Sequence, residues 1–298
     1  MPESAQELSA LPSHFFLEKN ILVPINYSKL SYGIVELAEE WMEVEKGVLY
    51  FYHVSPPFPN LEPGPGFNGV KNRLDTQAVI KMDAFIQQVG TESPYVLLHD
   101  YGEPDQAILQ IAGEMLADLI IMGTPKRSMF DRMTGGNLVG SILHHCRCSL
   151  LVYKPDPTPL SNIVLVGIDF KKETLALIKK ADEFAQKRGA SLEFVHVLTE
   201  PPLPYLSGNP LGWVLADTKK QLEELVASQS LKTFYHCRVL ESSKVGETLV
   251  TLQTQMEAGL LMIAPPPDQI NRRVSRSTAD YVINYATCPV YVFRAQTF

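Results

Sequence analysis

The sequence has few cysteines for its length, with four among 298 residues. A disulfide-rich secreted domain would need more, and none of the four forms a Cys-x-x-Cys pair. Cys146 and Cys148 follow His144 and His145, but ligands packed this closely in sequence rarely complete a tetrahedral metal site. We therefore expect reduced, buried cysteines and no metal centre. The four residues are Cys146, Cys148, Cys237 and Cys288.

Long apolar runs and an excess of basic residues are also missing. No stretch approaches the roughly 20 apolar residues of a membrane span. A signal peptide begins with a positively charged region, whereas no Lys or Arg precedes Lys19 here. The 26 Lys and Arg against 33 Asp and Glu give a formal net charge of -7, which argues against nucleic acid or an anionic membrane as the main partner. We expect a cytoplasmic protein.

Three common catalytic and nucleotide-binding motifs do not occur. The sequence has no P-loop, no Gly-x-Gly-x-x-Gly after its first predicted strand and no Gly-x-Ser-x-Gly elbow. His99-Asp100 looks like part of a Ser-His-Asp triad without its nucleophile. His53 and His196, each near a predicted strand end, are expected to support packing or a turn rather than catalysis.

The chain repeats itself at a nearly constant offset. Asn20–Ser28 matches Ile163–Lys171 and Leu49–Val54 matches Leu192–Val197, both at 143 residues, while Cys148–Tyr153 matches Cys288–Phe293 at 140. Three prolines in Lys154–Leu160 join the two copies. We therefore predict two domains, at residues 18–155 and 161–296.

Within each half, short aliphatic runs alternate with segments of helical period, as in a parallel sheet with crossover helices. The predicted fold class is α/β, with two tandem doubly wound domains of five parallel strands each. The predicted strands lie near 20–25, 48–54, 94–99, 118–123, 149–153, 163–168, 191–197, 233–240, 259–264 and 289–293. The predicted helices lie near 30–45, 69–89, 104–116, 136–146, 172–188, 212–228, 245–257 and 276–286.

The loop after the fourth strand is the leading candidate for a binding site, because open parallel sheets bind ligands beyond the carboxyl ends of their strands. It runs from Gly123 through Lys126 and Arg127 to Gly136, and a helix begins near Leu138. Glycine backbone, cations and a helix N-terminus suit phosphate. A plain left-handed turn with a helix cap at Asn137 is an equal alternative on the loop alone.

Several segments together resemble the universal stress protein family in its tandem form. They are Ile-Leu-Val-Pro-Ile-Asn-Tyr-Ser at residues 21–28, the His-Val that ends the second strand, Gly-Glu-Pro at 102–104, Ala-Asp-Leu-Ile-Ile-Met-Gly-Thr at 117–124 and the segment 142–152. The resemblance extends from Asn20 to Phe293. It implies an adenine-nucleotide alpha-hydrolase-like fold and a loop Gly-x2-Gly-x9-Gly-Ser/Thr that wraps the phosphates of ATP.

The first half matches that loop in part. Gly123 and Gly136 align with its first and last glycines, whereas Lys126 replaces the middle glycine and Asn137 the hydroxyl residue. Asn26 stands for the adenine-side Asp and keeps an acceptor oxygen without the charge. The nucleotide-binding residues implied are Pro24, Ile25, Asn26, Val54, Gly123, Lys126, Arg127, Gly136, Asn137 and Leu138.

The second half departs further from the family pattern. Ala264–Asp268 replaces the first two glycines with a loop whose three prolines lack backbone N–H donors. Arg276 stands in place of the last glycine. Asp169, Val197 and Ser277 remain, and we expect them to form a degenerate second site.

The resemblance implies a stress-response protein that acts by binding and by contact with other proteins, with ATP and Mg²⁺ in the first half. We expect no enzyme, and weak ATP hydrolysis stays open. The alternative is a nucleotide-free interaction or chaperone-like protein whose halves form an intramolecular pseudo-dimer. Family members pair through their fifth strands, which places Leu150–Tyr153 against Val290–Phe293. A further homodimer would use another surface.

Overall fold

The computed structural model describes residues 19–57, 67–124, 138–155, 161–199, 210–265 and 277–295. The chain divides into two compact units, Met1–Cys148 and Ser149–Phe298. The predicted nucleotide-loop residues Lys126, Arg127, Gly136 and Asn137 lie outside the described residues.

The first unit is a parallel sheet with its strands in the order β3-β2-β1-β4. Because β4 lies on the opposite side of β1 from β2 and β3, the strand order reverses between β1 and β4. Its elements are β1 (Lys19–Pro24), α1 (Lys29–Met42), β2 (Gly47–Ser55), α2 (Phe67–Val89), β3 (Tyr95–Tyr101), α3 (Pro104–Glu114), β4 (Leu119–Gly123) and α4 (Leu138–His145).

The second unit has the strand order β5-β10-β9-β6-β7-β8. Its strands are parallel except for β5, which runs antiparallel to β10. Its elements are β5 (Ser149–Tyr153), β6 (Ser161–Ile168), α5 (Thr174–Arg188), β7 (Ser191–Leu198), α6 (Pro210–Ala227), β8 (Tyr235–Glu241), α7 (Val245–Gln255), β9 (Ala258–Ile263), α8 (Thr278–Tyr285) and β10 (Val290–Val292).

The α/β class and each predicted element are confirmed, with element ends that differ by a few residues. The pairing of the two fifth strands is confirmed as well. Val290 lies opposite Val152, Tyr291 opposite Leu151 and Val292 opposite Leu150. Strand β5 therefore groups with the second unit, although in sequence it closes the first repeat.

The core of the first unit includes one face of α1, on which Ile34, Ala38 and Trp41 recur at helical spacing and are buried. A Cβ added to Gly123 would lie 2.8 Å from side-chain atoms of both Leu30 and Ile34. A larger residue where β4 ends would therefore force the Leu30 and Ile34 side chains to shift, independently of any ligand.

The first helix of each repeat also anchors the segment before the third strand through a carboxylate. In the first unit, Glu39 accepts hydrogen bonds from the Ser93 amide at 3.2 Å and the Ser93 hydroxyl at 2.7 Å. In the second, Asp182 accepts from the Thr233 amide at 3.0 Å.

Within the described residues, no helix is long and apolar enough to cross a membrane.

Candidate functional site

The turn between β1 and α1 forms the centre of the candidate site, because it follows β1 where the strand order of the first unit reverses. The Ile25 amide continues the ladder by donating to the Tyr52 carbonyl at 2.9 Å. The Asn26 amide then donates to the hydroxyl of Ser31 at 3.1 Å, and this hydroxyl is fully buried on the first turn of α1. Ser31, on the first turn of α1, therefore holds the backbone of Asn26 just after β1 ends.

The Asn26 side chain is held in one orientation. Its Oδ1 accepts from the Ser28 amide at 3.2 Å and from the Ser31 hydroxyl at 3.0 Å. The backbone amide of Ser28 can only donate, which assigns the side-chain atom that faces it as the oxygen. The acceptor oxygen expected of Asn26 is therefore engaged in two hydrogen bonds within the turn. Asn26 is an exposed residue, and Nδ2 is the donor of its side chain.

Tyr27 follows in the left-handed region, with φ of 60°. Its ring lies 4.5 Å from the His53 ring and 5.7 Å from that of Phe85, and the Lys81 Nζ lies 4.1 Å from the ring centroid. Burial raises the pKa of Tyr27 to about 12. The Tyr27 hydroxyl is buried and has no hydrogen-bond partner within the part of the chain that is described. Sequence patterns did not single it out, because a lone tyrosine in a turn carries no motif.

The two strand-end histidines have the structural role expected of them. His53 Nδ1 lies 2.9 Å from the carbonyl oxygen of Ile25, and His196 Nδ1 lies 2.8 Å from that of Ile168. Because a carbonyl only accepts, Nδ1 is the donor in both rings. Both histidines therefore tie the second strand of a repeat to the turn after the first.

The other described positions of the predicted site lie on the neighbouring strand ends. Pro24 is the last residue of β1, and Val54 lies opposite Asp100 in the β2–β3 ladder. Gly123 ends β4 and Leu138 begins α4, where the Ser141 hydroxyl donates to Asp105 at 3.0 Å. The strand ends therefore bring Pro24, Ile25, Asn26, Val54 and Gly123 to one edge of the sheet.

The corresponding turn in the second unit carries a carboxylate. Asp169 Oδ1 accepts from the Lys171 amide at 3.1 Å and from the Thr174 hydroxyl at 3.2 Å, and Oδ2 lies 3.6 Å from Lys171 Nζ. Phe170 takes the place of Tyr27, with φ of 56° and its ring 4.7 Å from His196. The second turn keeps the geometry of the first, but Phe170 lacks the phenolic hydroxyl that Tyr27 carries in the first.

Ser277, the second retained residue of this half, caps α8. Its hydroxyl accepts from the Asp280 amide at 3.1 Å and donates to the Asp280 carboxylate at 2.6 Å. The Ser277 hydroxyl is therefore engaged, and the Asp280 carboxylate lies at the helix N-terminus, where a phosphate would bind. Val197, the third residue of the predicted degenerate site, lies opposite Leu240 in the β7–β8 ladder. At the repeat offset of 140 residues, the first half has Gly140 in place of Asp280.

His99 pairs with a different carboxylate from the one its sequence neighbour suggested. Neighbouring side chains on a strand point to opposite faces, so Asp100 does not face His99. Asp100 Oδ1 accepts from the Tyr101 amide at 2.8 Å. His99 Nδ1 instead lies 3.2 Å from Oδ1 of Asp75 on α2, and Nε2 lies 2.9 Å from the Ser55 hydroxyl. The interpretation of His99-Asp100 as an incomplete triad is therefore wrong.

The cysteines are free thiols, and three of them are buried. Cys146 Sγ donates to the Cys148 carbonyl at 3.5 Å. Burial raises the pKa of Cys237 to about 11 and that of Cys288 to about 12, which disfavours the thiolates that would bind a metal. Across the described ranges, no group of three or more His, Cys, Asp or Glu side chains is placed to hold a metal ion.

Both halves of the chain match the same protein family. The model of the universal stress protein family matches residues 18–154 and again 161–294. Universal stress protein E of Escherichia coli K12 is 27% identical over 133 residues, which is 43% of this chain. The match spans 40% of that relative's length. A homologue from Haemophilus influenzae is 31% identical over 93 residues, 30% of each chain.

A solved structure matches nearly the whole chain in fold. The universal stress protein from Archaeoglobus fulgidus DSM 4304 has a TM-score of 0.68 and 18% identity, and the match covers 92% of this chain and 96% of that one. At this identity, the likeness concerns the fold.

Proposed function

Since this chain belongs to the universal stress protein family, we propose that its first half binds an adenine nucleotide such as ATP and that its second half does not. The observation that carries the proposal is the first β1–α1 turn. There, an exposed amide donor on Asn26 and the buried hydroxyl of Tyr27 flank the point where the strand order reverses.

The donor chemistry of this turn suits a nucleotide. An adenine ring and a ribose both offer acceptor atoms, and the Asn26 Nδ2 and the Tyr27 hydroxyl are donors. The backbone of Val54 would face the base, and the phosphates would lie toward Gly123, Lys126, Arg127, Gly136, Asn137 and the start of α4 at Leu138. The N-terminus of a helix favours a bound anion there.

Mg²⁺ would be coordinated by the phosphates of the nucleotide rather than by a cluster of protein side chains. The described residues offer no cluster of three metal-binding side chains, and Mg²⁺ commonly binds through phosphate oxygens and water. When bound, the ion neutralises phosphate charge. We propose that the protein binds the nucleotide without turning it over.

The second half carries a carboxylate, Asp280, at the position where the first half has Gly140. The Asp280 carboxylate holds the Ser277 hydroxyl at 2.6 Å and would repel a phosphate, and Phe170 lacks the hydroxyl of Tyr27. The prolines at 265–267 remove backbone donors as well. These features support one site per chain, with Asp169, Val197 and Ser277 left over from a second.

Calorimetric titration of the full chain with ATP and Mg²⁺ tests the proposal. We expect one site per chain, lost in Gly136→Val because a β-branched residue blocks approach to the phosphates. Asn26→Ala should weaken binding about 3- to 10-fold, the value of one hydrogen bond. The matched variants Asp169→Ala and Ser277→Ala should leave the affinity unchanged. Two sites per chain, or a site lost only in Ser277→Ala, would contradict it.

The second candidate function is a nucleotide-free protein that acts through contact with other proteins. It is favoured by large apolar side chains on the second unit, where Trp213 is 83% exposed and Phe234 is 68% exposed. Contiguous apolar patches mark protein-binding surfaces, and this candidate requires Trp213 and Phe234 to belong to such patches. In an aggregation assay with a heat-denatured enzyme, Trp213→Ser and Phe234→Ser should then reduce protection. An unchanged assay would remove this candidate.

A further inference from the structure

A second group of reactive side chains lies on the first unit next to the β1–α1 turn, which its member His53 contacts through the Tyr27 ring at 4.5 Å. In the parallel register, His53 lies opposite His99 and Ser55 lies opposite Tyr101. Because side chains alternate along a strand, these four residues share one face of the sheet. Helix α2 contributes Asp75 to the same group.

Three members of this group form a continuous hydrogen-bonded chain. The Ser55 hydroxyl lies 2.9 Å from His99 Nε2, and His99 Nδ1 lies 3.2 Å from Asp75 Oδ1. The carboxylate only accepts, so Nδ1 carries the proton, and in the neutral ring Nε2 accepts the proton of Ser55. This is the order of atoms found in Ser-His-Asp hydrolases, whatever the sequence order.

The surroundings keep the imidazole neutral and able to act as a base. The His99 side chain is 3% exposed, and the Tyr101 ring packs edge-on against it at 4.7 Å. Burial lowers the pKa of His99, the neighbouring His53 lowers it further, and Asp75 and Asp100 oppose the shift. At neutral pH the ring is therefore free to accept a proton. Ser55 itself is partly exposed and is followed by the exposed Pro56 and Pro57.

The repeat shows that the fold does not require these residues. In the second unit, the register places Leu198 opposite Glu241 and His196 opposite Val239, so that Leu198 stands for Ser55 and Val239 for His99. The second sheet forms the same ladder without a serine or histidine at either place. His53 and His196, by contrast, are equivalent residues of the two units, and each bonds the equivalent backbone carbonyl, that of Ile25 or of Ile168.

We propose that Ser55 and His99 are catalytic residues for acyl transfer from a small activated ester, with Asp75 as the positioning residue. Ser55 Oγ attacks the ester carbonyl as its proton passes to His99 Nε2. The C–O bond to the leaving group then breaks, and Nε2 returns the proton to the departing oxygen. Water attacks the acyl-serine by the same route, and the acid leaves as Ser55 recovers its proton.

The test is covalent labelling of the full chain with a fluorophosphonate probe and acetylation by p-nitrophenyl acetate, both mapped by peptide mass spectrometry. We expect modification at Ser55 and none at this peptide in Ser55→Ala. Ser93→Ala is the matched control, because the Ser93 hydroxyl bonds a carboxylate without a histidine, and its rate should equal that of the unchanged chain. His99→Gln should lower the rate 10²- to 10⁴-fold, the range for a general base.

Asp75→Asn decides the outcome if His99→Gln fails to fold, since the Asp75 side chain is 36% exposed and tolerates an isosteric change. We expect a rate at least about tenfold lower and an inflection of the pH–rate profile shifted to lower pH, because Asp75 raises the pKa of His99. Asp75→Glu should restore part of the rate. Absence of label on Ser55, or equal rates and equal profiles for the unchanged chain and Asp75→Asn, would overturn the proposal.

Discussion

The imidazole Nδ1 of His53 donates to the carbonyl oxygen of Ile25 at 2.9 Å and so fixes the turn that presents Asn26. The residue after Asn26, Tyr27, is held at φ of 60°. A left-handed conformation costs a non-glycine residue about 1–2 kcal/mol. The contact of the Tyr27 ring with His53 at 4.5 Å helps to offset this cost.

The first prediction compares His53→Ala with His196→Ala. Each change leaves a backbone carbonyl without its donor, so each should lower the free energy of unfolding by about 1–3 kcal/mol. Only His53→Ala should also weaken ATP binding, because only the first turn belongs to the proposed site. Urea unfolding and calorimetric titration measure the two effects. Equal loss of affinity in both variants would show that the site is not confined to the first half.

The second prediction concerns the buried hydroxyl of Ser31. It accepts from the Asn26 amide and donates to the Asn26 side chain, and it is fully buried. Ser31→Ala should therefore cost about 1–3 kcal/mol of stability, since both groups of Asn26 lose a buried partner.

Ser31→Thr provides the matched control, because Thr174 occupies the equivalent position of the second unit and bonds Asp169 there. The threonine variant should retain the stability of the unchanged chain in urea unfolding. If Ser31→Ala proves as stable as Ser31→Thr, the hydroxyl does not fix the turn.

The sequence was informative where the structure repeats or alternates. Offsets of 143 and 140 residues located equivalent strands, and the resemblance to the family predicted that Leu150–Tyr153 pairs with Val290–Phe293, as the β5–β10 ladder shows. Strand and helix periods reflect local backbone geometry, so a single sequence records them.

The Ser55, His99 and Asp75 group could not be found in the same way. Asp75 comes from a helix and the other two from different strands, with no fixed spacing between them. Adjacency in sequence favoured His99 with Asp100, although strand alternation sends these two side chains to opposite faces. Alternation on both strands could have placed Ser55 near His99, but the register that joins them is a property of the sheet. The orientation of the Asn26 amide likewise depends on Ser31, which only the folded turn brings to it.

The third prediction is a pH dependence of stability that arises from His99. Its pKa in the folded protein is lowered from the usual 6.5, chiefly by burial. Between these two values the unfolded chain binds more protons than the folded one, so stability falls as pH decreases below 6.5 and levels off below the folded-state pKa. Above pH 6.5 this contribution is fully present.

Urea unfolding at a series of pH values, for the unchanged chain and for His99→Gln, isolates this effect. The difference between the two stability curves should decrease as pH falls from 6.5. The glutamine variant lacks the titrating ring, whereas the carboxylates contribute nearly equally to both chains. A difference that stays constant across this range would show that burial of His99 does not oppose its protonation.

The last prediction follows from the place of β5 in the second unit. Leu150, Leu151 and Val152 are fully buried against β10, and the Ser149 hydroxyl accepts from the Arg294 amide at 3.2 Å. The buried Lys154 also donates to the Ile283 carbonyl. A fragment of residues 161–298 lacks this strand, so the apolar edge of β10 would be exposed, and edges of this kind associate with one another.

We expect the 161–298 fragment to elute from size exclusion as larger species than the 149–298 fragment, or to precipitate, because only the shorter fragment leaves the edge of β10 uncovered. The two fragments differ by one strand and its linker, which makes the longer one the matched control. Circular dichroism establishes that each retains helix and sheet. Adding a peptide of residues 149–155 to the shorter fragment should compete with self-association, because the peptide can occupy the vacant edge of β10. A shorter fragment that stays folded and monomeric would mean that β5 is not needed to cover that edge.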